Sequence, residues 1–588
     1  MQGQRTTPSR YRAAKLLQVL VIMAAIIRHA PGQPIRACDS SGRSAACTCK
    51  PLIAFVICTR PELTELPSGI PNNTISLRIT GNQLTSLPRM AFHQLSQLQM
   101  LTLSSSQISE IKLGAFETLS SLEWLNLEGN MLENLSVGVF RGLVNMWKLD
   151  LGGNRIESLP VGIFSGLPSL RQISLARNGI KTLDHILPSL PIHVQSLELD
   201  GNYISRIDRN VFARFQNLSS LVLSDNGFGN LVPGVFNGLI SLSRLYLNGN
   251  NITFLPPDLF LGLEELGSLT LDNNRLVQLK GNRFGDHPSL TVFSVANNNV
   301  STIEAGLFGR FQKLNSVNLD GNNLTSLPTG IFHGLVKLKS VRLENNRLHT
   351  LDPDLFQDLR NAWLIKLGHN NIKTIPSGFF SSCLKVGYIN LQGNDLTYLP
   401  PGIFDNLTSL QFLELGDNKL DNLDANVFRD LHDVWHIYLQ GNGIKSLPST
   451  IFNGLQMLRL LYLNDNKLSV IEHGTFDGLP MIENIYLQDN PLTNITCEML
   501  PSQNVSTSLT EINIDCTCEW EPVYDCPEFS WVGSKLECSN PLRLSSDSLD
   551  KVPKNALTCA APRMVCFNQI GWVALSVLAL LSNSLISN

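Results

Sequence analysis

The sequence predicts an α/β-type solenoid, a stack of short coils with a parallel β-sheet on its concave face and an irregular or short-helical convex face. Three observations predict it. Asparagine recurs every 24 residues from Asn82 through Asn130, Asn154 and onward to Asn490, and of eighteen such positions only Ser106 departs. Aliphatic residues stand five and three places before each rung, as in Leu125/Leu127, Leu245/Leu247, Leu413/Leu415 and Ile485/Leu487. Ten residues after each rung comes a phenylalanine, from Phe92 and Phe116 to Phe452 and Phe476, with Pro188 the one failure in seventeen steps. A fixed period of this length marks stacked repeats.

The aliphatic pair reads as a short strand with both inward positions filled. One coil cannot bury its own apolar edge, so it is stable only against copies of itself. In the unit starting at Leu149 the inward set is Leu149, Leu151, Ile156, Leu159, Phe164 and Leu167. The asparagine is expected to point inward at the turn that ends the strand, where its amide offers two donors and an acceptor to otherwise unpaired backbone groups. The strings GNRIESLPVGIFSGLPSLRQISL and GNNLTSLPTGIFHGLVKLKSVRL resemble the typical class of extracellular leucine-rich repeats found in Toll-like receptors, Slit, lamprey variable lymphocyte receptors and the Nogo receptor. The resemblance covers residues 38 to 559 and implies an arc closed by a disulfide-tied cap at each end. The family shares a shape and not an activity.

In chain order, residues 1–30 read as a secretory signal peptide: four basic residues precede the apolar run LLQVLVIMAAII, which is too short to span a bilayer. Cleavage is expected between Ala30 and Cys38. Residues 38–65 form an N-terminal cap with cysteines spaced C-x8-C-x-C-x8-C. The spacing leaves three connectivities open, and the resemblance implies Cys38–Cys49 and Cys47–Cys58. About eighteen coils occupy residues 66–490. One is irregular, where Pro188 and Pro191 interrupt the pattern; it reads either as a kink or lateral opening, or as a tolerated extended segment.

Residues 491–559 carry Cys516, Cys518, Cys538 and Cys559, for which the resemblance implies a C-terminal cap with Cys516–Cys538 and Cys518–Cys559. Cys497 and Cys526 flank that cap and can pair with each other. Cys383 takes the place of an inward leucine and is expected to be a buried free thiol. The tail 560–588 ends in IGWVALSVLALLSNSLI without a basic flank, the form of a lipid-anchor signal removed on attachment; a retained short span or a secreted product are the alternatives. Loss of that tail would also remove Cys566.

A net charge of -4 over 588 residues provides no basic patch for nucleic acid. Nine glycosylation sequons occur, at Asn72, Asn134, Asn217, Asn251, Asn299, Asn323, Asn406, Asn494 and Asn504, none on a predicted strand. Asn251, Asn299 and Asn323 each follow a rung, which would place their glycans on one rim and leave the sheet open.

The variable positions lie six, four, two and one residues before each rung, and they hold twelve acids and six bases. Glu128, Asp200, Asp272, Asp320 and Glu344 form a broken acidic column two before the rung, suited to a basic ligand, although acids there also favour turns. Tyr388, Phe412, His436, Tyr438, Tyr462 and Tyr486 are outward strand residues on five consecutive coils. Clustered aromatics are enriched at binding hot spots, while cross-strand packing that stiffens the sheet is the competing explanation. The sequence has no P-loop, GxSxG, HExxH or C-x2-C motif, and His432 and His436 straddle the start of a strand rather than share a helix face. No enzyme activity, cofactor or metal is expected. These observations lead to a surface receptor holding an extracellular protein or glycan, with a signalling co-receptor, lipid-anchored to the membrane; a secreted matrix or carrier protein is the alternative.

Overall fold

A computed structural model describes residues 37–38, 47–50 and 54–492, together with the strands Ser506–Ser508, Asn513–Asp515 and Glu537–Asn540. The signal segment, the tail with Cys566, the C-terminal disulfides, Cys497–Cys526 and the sequons at Asn494 and Asn504 lie outside the described residues. The chain is a parallel-strand solenoid of about eighteen coils in two compact units, one of residues up to 207 with 211–227, the other of 208–210 with 228 onward.

In the first unit, Thr48–Lys50 pairs antiparallel with Phe55–Cys58, which pairs in parallel with the first coil strand Ser76–Ile79. Disulfides Cys38–Cys49 and Cys47–Cys58 tie this cap, the pairing the resemblance implies. The covalent cap therefore does more than cover an apolar end, because its second strand starts the sheet. Coil strands then follow in constant register: each residue faces the one 24 later, as in Leu77↔Leu101 and Leu149↔Ile173. In the second unit the same register runs through Leu245↔Leu269 to Leu461↔Ile485. There Ser506–Ser508 adds one further parallel strand beside Asn484–Tyr486, although the asparagine rungs end at Asn490.

The inward set packs as expected: Leu149, Leu151, Ile156, Leu159, Phe164 and Leu167 are all buried. On the convex side, the phenylalanines stack ring on ring. Phe308, Phe332, Phe356, Phe380 and Phe404 stand 5.9–6.4 Å apart between neighbours. The coils splay toward this side. Phe452 and Phe476 are 6.0 Å apart, whereas Tyr438 and Tyr462, on the sheet side of the same two coils, are 4.6 Å apart. The convex face is built of turns, and among the described residues its helical content reduces to 3₁₀ turns such as Gly281–Arg283 and Phe308–Arg310.

The asparagines are the pins between coils. At rungs 130–226 and 274–490, Oδ1 accepts the backbone N–H of the residue 22 earlier, at 2.9–3.1 Å. Nδ2 donates to the preceding coil and to its own: Asn274 reaches Leu247 O at 2.9 Å and Leu271 O at 3.0 Å. The residue before every rung has positive φ, from Gly81 to Asp489. Such a conformation favours Gly, Asn and Asp, which explains their abundance there.

Ser106 shows what happens without the amide. Its hydroxyl is too short to reach back and donates to Ser104 O at 3.3 Å. The Leu84 N–H, which an Asn at 106 would accept, bonds instead to Asn82 Oδ1 at 3.0 Å. Asn82 is thereby turned onto its own coil, and its buried Nδ2 has no partner.

The irregular coil does not open the stack. A 3₁₀ turn at Leu187–Ser189 buries Leu187 where the phenylalanine would sit, and Arg214 bonds to Pro188 O at 3.3 Å and Leu190 O at 3.1 Å. Flanking strands keep register, Leu197 facing Ile173 and Leu221. The proline segment is thus tolerated without a kink or opening, but as a 3₁₀ turn and not as the expected extended stretch. Cys383 is a buried free thiol in an inward leucine position, its pKa pushed up to about 12 by burial.

Candidate functional site: an aromatic lane on the last coils

Alternation along each strand sends the residues six and four before the rung outward while the one between them is buried. In the second unit, this puts six rings on one surface. Tyr388 lies 5.8 Å from Phe412, and Phe412 lies 5.0 Å edge-on from His436. The run then changes lanes within a single strand, His436 to Tyr438 at 6.1 Å, and continues as a face-to-face stack, Tyr438–Tyr462 at 4.6 Å and Tyr462–Tyr486 at 4.4 Å. All six predicted aromatic residues are therefore brought together, in one continuous chain of contacts.

Two tryptophans extend it, both seven before a rung and outside the strands from which the aromatic pattern was read. Trp363 is 49% exposed and lies across Gly387, where a Cβ would come within 2.5 Å of the indole nitrogen. Trp435 packs edge-on to Phe412 at 5.8 Å, and the Arg459 guanidinium sits 6.0 Å from its ring, with Glu483 at 3.5 Å. Their signal in the sequence is a large aromatic at a position that most other coils fill with polar residues.

Polar groups close the upper end. The Tyr388 hydroxyl donates to Glu414, and Lys366 stands over the Tyr388 ring at 5.4 Å while pairing with Glu344 at 3.0 Å. Asn390 donates to the other Glu344 oxygen at 2.8 Å. Burial, then the Glu414 hydrogen bond, raises the Tyr388 phenol; burial and the neighbouring tyrosines push Tyr462 up to about 12. Burial raises Tyr438 as well and lowers His436, whose Nδ1 lies 3.3 Å from the Tyr438 hydroxyl. At neutral pH Tyr388, Tyr438 and Tyr462 thus stand as protonated phenols and His436 as a neutral imidazole. His432 is exposed on the turn before this strand and belongs to a different surface.

The acidic column has other attachments. Asp272 accepts the Ser294 hydroxyl at 2.5 Å and the Ala296 N–H at 2.7 Å; Asp320 accepts the Glu344 N–H at 2.7 Å. Burial raises Asp200 and Asp272, and carries Asp320 to about 6. Glu128 is exposed and Glu344 is held by Lys366 and Asn390. Asp272, Asp320 and Glu344 therefore spend their carboxylates within the sheet. The seven described sequon asparagines lie off the coil strands; Asn251 and Asn299 are exposed and Asn323 half-buried.

Coils pinned from within, with a sheet face whose side chains change from coil to coil, define a repeat scaffold built to present a surface. The leucine rich repeat model matches in overlapping segments from 73–132 to 438–492. The chain belongs to the leucine-rich repeat family. It is 36% identical over 62 residues to zebrafish leucine-rich repeat-containing protein 3, covering 10% of this chain and 23% of that one. It is 48% identical over 48 residues to the mouse insulin-like growth factor-binding protein complex acid labile subunit, 8% of each chain. Both matches span less than a quarter of the relative's length. Among solved structures, the Drosophila Toll–Spatzle complex aligns with TM-score 0.62 at 23% identity, over 82% of this chain and 64% of that one, a likeness of fold. The two cap disulfides fit an extracellular protein.

Proposed function

We propose that this protein is a cell-surface recognition or adhesion receptor that holds a protein or glycan ligand on the sheet face of its last coils, centred on Tyr438, Tyr462 and Tyr486. The observation that carries the reading is the continuous chain of six outward rings, flanked by Trp363 and Trp435. Aromatic side chains bring large contact area at small entropic cost, and a pre-stacked row loses little freedom on binding. Seven sequon positions off the strands would leave this face bare. On the first unit, the exposed Glu128 and half-buried Asp200 form a separate, secondary acidic surface in this reading. In this reading the receptor acts by capture or through a co-receptor. The likeness to the acid labile subunit favours a second reading, a secreted carrier or matrix protein that stabilises another secreted protein.

Replacing Tyr438, Tyr462 and Tyr486 together with serine should reduce capture of the cell-surface or serum ligand at least tenfold. Loss of two stacks costs roughly 1–3 kcal/mol of stability, a small drop in melting temperature. A large melting drop with capture intact would show that the rings serve the sheet alone. A phosphatidylinositol-specific phospholipase should release the protein from intact cells; retention after treatment rules out the lipid anchor.

A further inference from the structure

In the first unit, burial already alternates just ahead of the coil strands. The residue eight before the rung is buried, as at Leu122, Met146 and Leu170, while those nine and seven before it reach the surface. Seven before five successive rungs stand Gln99, Glu123, Trp147, Arg171 and Gln195, and with side chains nine before the rung they line an open groove of about 700 Å³. Strands about 4.8 Å apart give five coils a reach of about 19 Å.

The backbone of this groove is already spent. The Trp147 carbonyl accepts the Arg171 and Gln172 N–H groups, both at 2.9 Å, and the Glu123 carbonyl accepts those of Trp147 and Lys148 at 3.0 and 3.1 Å. A ligand therefore meets side chains. Asn145 and Ser169 are oriented by bonds to the preceding coil, Nδ2 to Ser120 O and the hydroxyl to Val144 O, each at 2.8 Å. Asn145 Oδ1 and the Ser169 lone pairs remain as acceptors. Among the described residues, the Gln99, Gln172 and Gln195 amides have no hydrogen-bond partner and Arg171 forms no ion pair.

Trp147 supplies the apolar element. It is 37% exposed, its Nε1 donates to Glu123 Oε2 at 3.5 Å, and among the described residues its faces meet no other ring and no cation. That sets it apart from the other described indoles. Trp124 lies under Lys148 at 4.6 Å, Trp435 packs on Phe412, and Trp363, at the same coil position, lies across Gly387. Beside Trp147 the following coil carries Arg171 in place of that glycine, and the space next to the ring is open.

The lining is charge-balanced, one carboxylate against one guanidinium, and rich in amides that both donate and accept. A polycation or polyanion finds no excess of opposite charge there. A sugar ring matches the set: its hydroxyls donate and accept around the rim, and its C–H faces settle on an open aromatic face. We propose that the groove around Trp147 is a separate binding site for a neutral oligosaccharide, with one sugar ring stacked on the indole and its neighbours hydrogen-bonded by Arg171, Asn145 and the three glutamines. The site lies wholly within the first unit and does not rest on the tyrosine lane.

The test is calorimetric titration of the purified full-length chain with neutral hexasaccharides of glucose, mannose and N-acetylglucosamine, with a hyaluronan hexasaccharide and hexa-arginine as charged controls. At least one neutral probe should bind saturably below about 1 mM, with little dependence on salt. Trp147→Ala and Arg171→Met should each weaken it at least tenfold at an unchanged melting temperature, and Trp147→Phe should keep part of the affinity. Trp363→Ala, the same coil position in the other unit, and the triple tyrosine variant should leave it unchanged. Failure of all three neutral probes, tighter binding of either charged control, or indifference to both Trp147→Ala and Arg171→Met overturns the inference. A loss confined to the tyrosine variant moves the saccharide to the tyrosine lane and overturns it too. Ribonuclease B and ribonuclease A, one polypeptide with and without a mannose-rich glycan, separate the sources of the saccharide. Preference for the glycosylated form assigns glycoproteins, and hexasaccharide binding without that preference assigns a free polysaccharide. Equal retention of both forms, lost in Trp147→Ala, would mean that the groove takes protein, and overturns the inference.

Discussion

The inner wall of the coils and the outer face of the same strands obey different rules. Inward, one residue type recurs at each position, and each copy does the same work: Asn274 and Asn466 make equivalent bonds at almost identical distances. Outward, lanes change character from coil to coil, and residues at equivalent positions do unlike things. Asp272 and Asp320 bond the next strand, while Tyr462 at a neighbouring position stacks on its copies. Repetition is demanded wherever each copy must fit the next; only where it is not demanded can specificity be written.

That contrast can be broken most forcefully at the phenylalanine spine. Phe332 is buried between Phe308 and Phe356, at 5.9 and 6.4 Å. Phe332→Ala should destabilise by about 3–5 kcal/mol through lost burial and a cavity that neighbouring coils cannot fill. Chemical denaturation measures it; a loss under 1 kcal/mol would mean that the spine is slack. The ladder's defect sharpens the contrast from the other side. Ser106→Asn should offer the Leu84 N–H an acceptor from the following coil and release Asn82 Oδ1 from that bond. A gain of about 0.5–2 kcal/mol is expected. A variant no more stable than the native chain would show that Ser106 is accommodated at no cost.

Much of the fold was legible because the inner wall repeats. Asn130, Leu125, Leu127 and Phe140 state their roles by spacing alone, and Cys383 reads as a buried thiol because it stands where its neighbours carry leucine. The unreadable parts depend on side-chain direction or on a partner one coil away. Ser106 is visibly odd, but its effect on Asn82 lies 24 residues upstream. Asp272 and Asp320 look like free acids until the N–H groups of the next coil are placed beside them. The tyrosine row was evident as a cluster, yet whether its rings face a ligand or each other is decided by rotamers. Trp363 and Trp435 escaped because they sit just before the strands. Ser506–Ser508 escaped because it follows the last coil strand by 22 residues, without a rung.

The central claim is that buried amides hold the coils together, leaving the opposite face to vary. Hydrogen exchange at the Ile252 N–H in Asn274→Ala tests it most directly, since that N–H donates to Asn274 Oδ1 at 3.1 Å. The account predicts exchange faster by roughly tenfold to a hundredfold, with a stability loss of about 1–3 kcal/mol. Unchanged protection of Ile252 in the variant would contradict it.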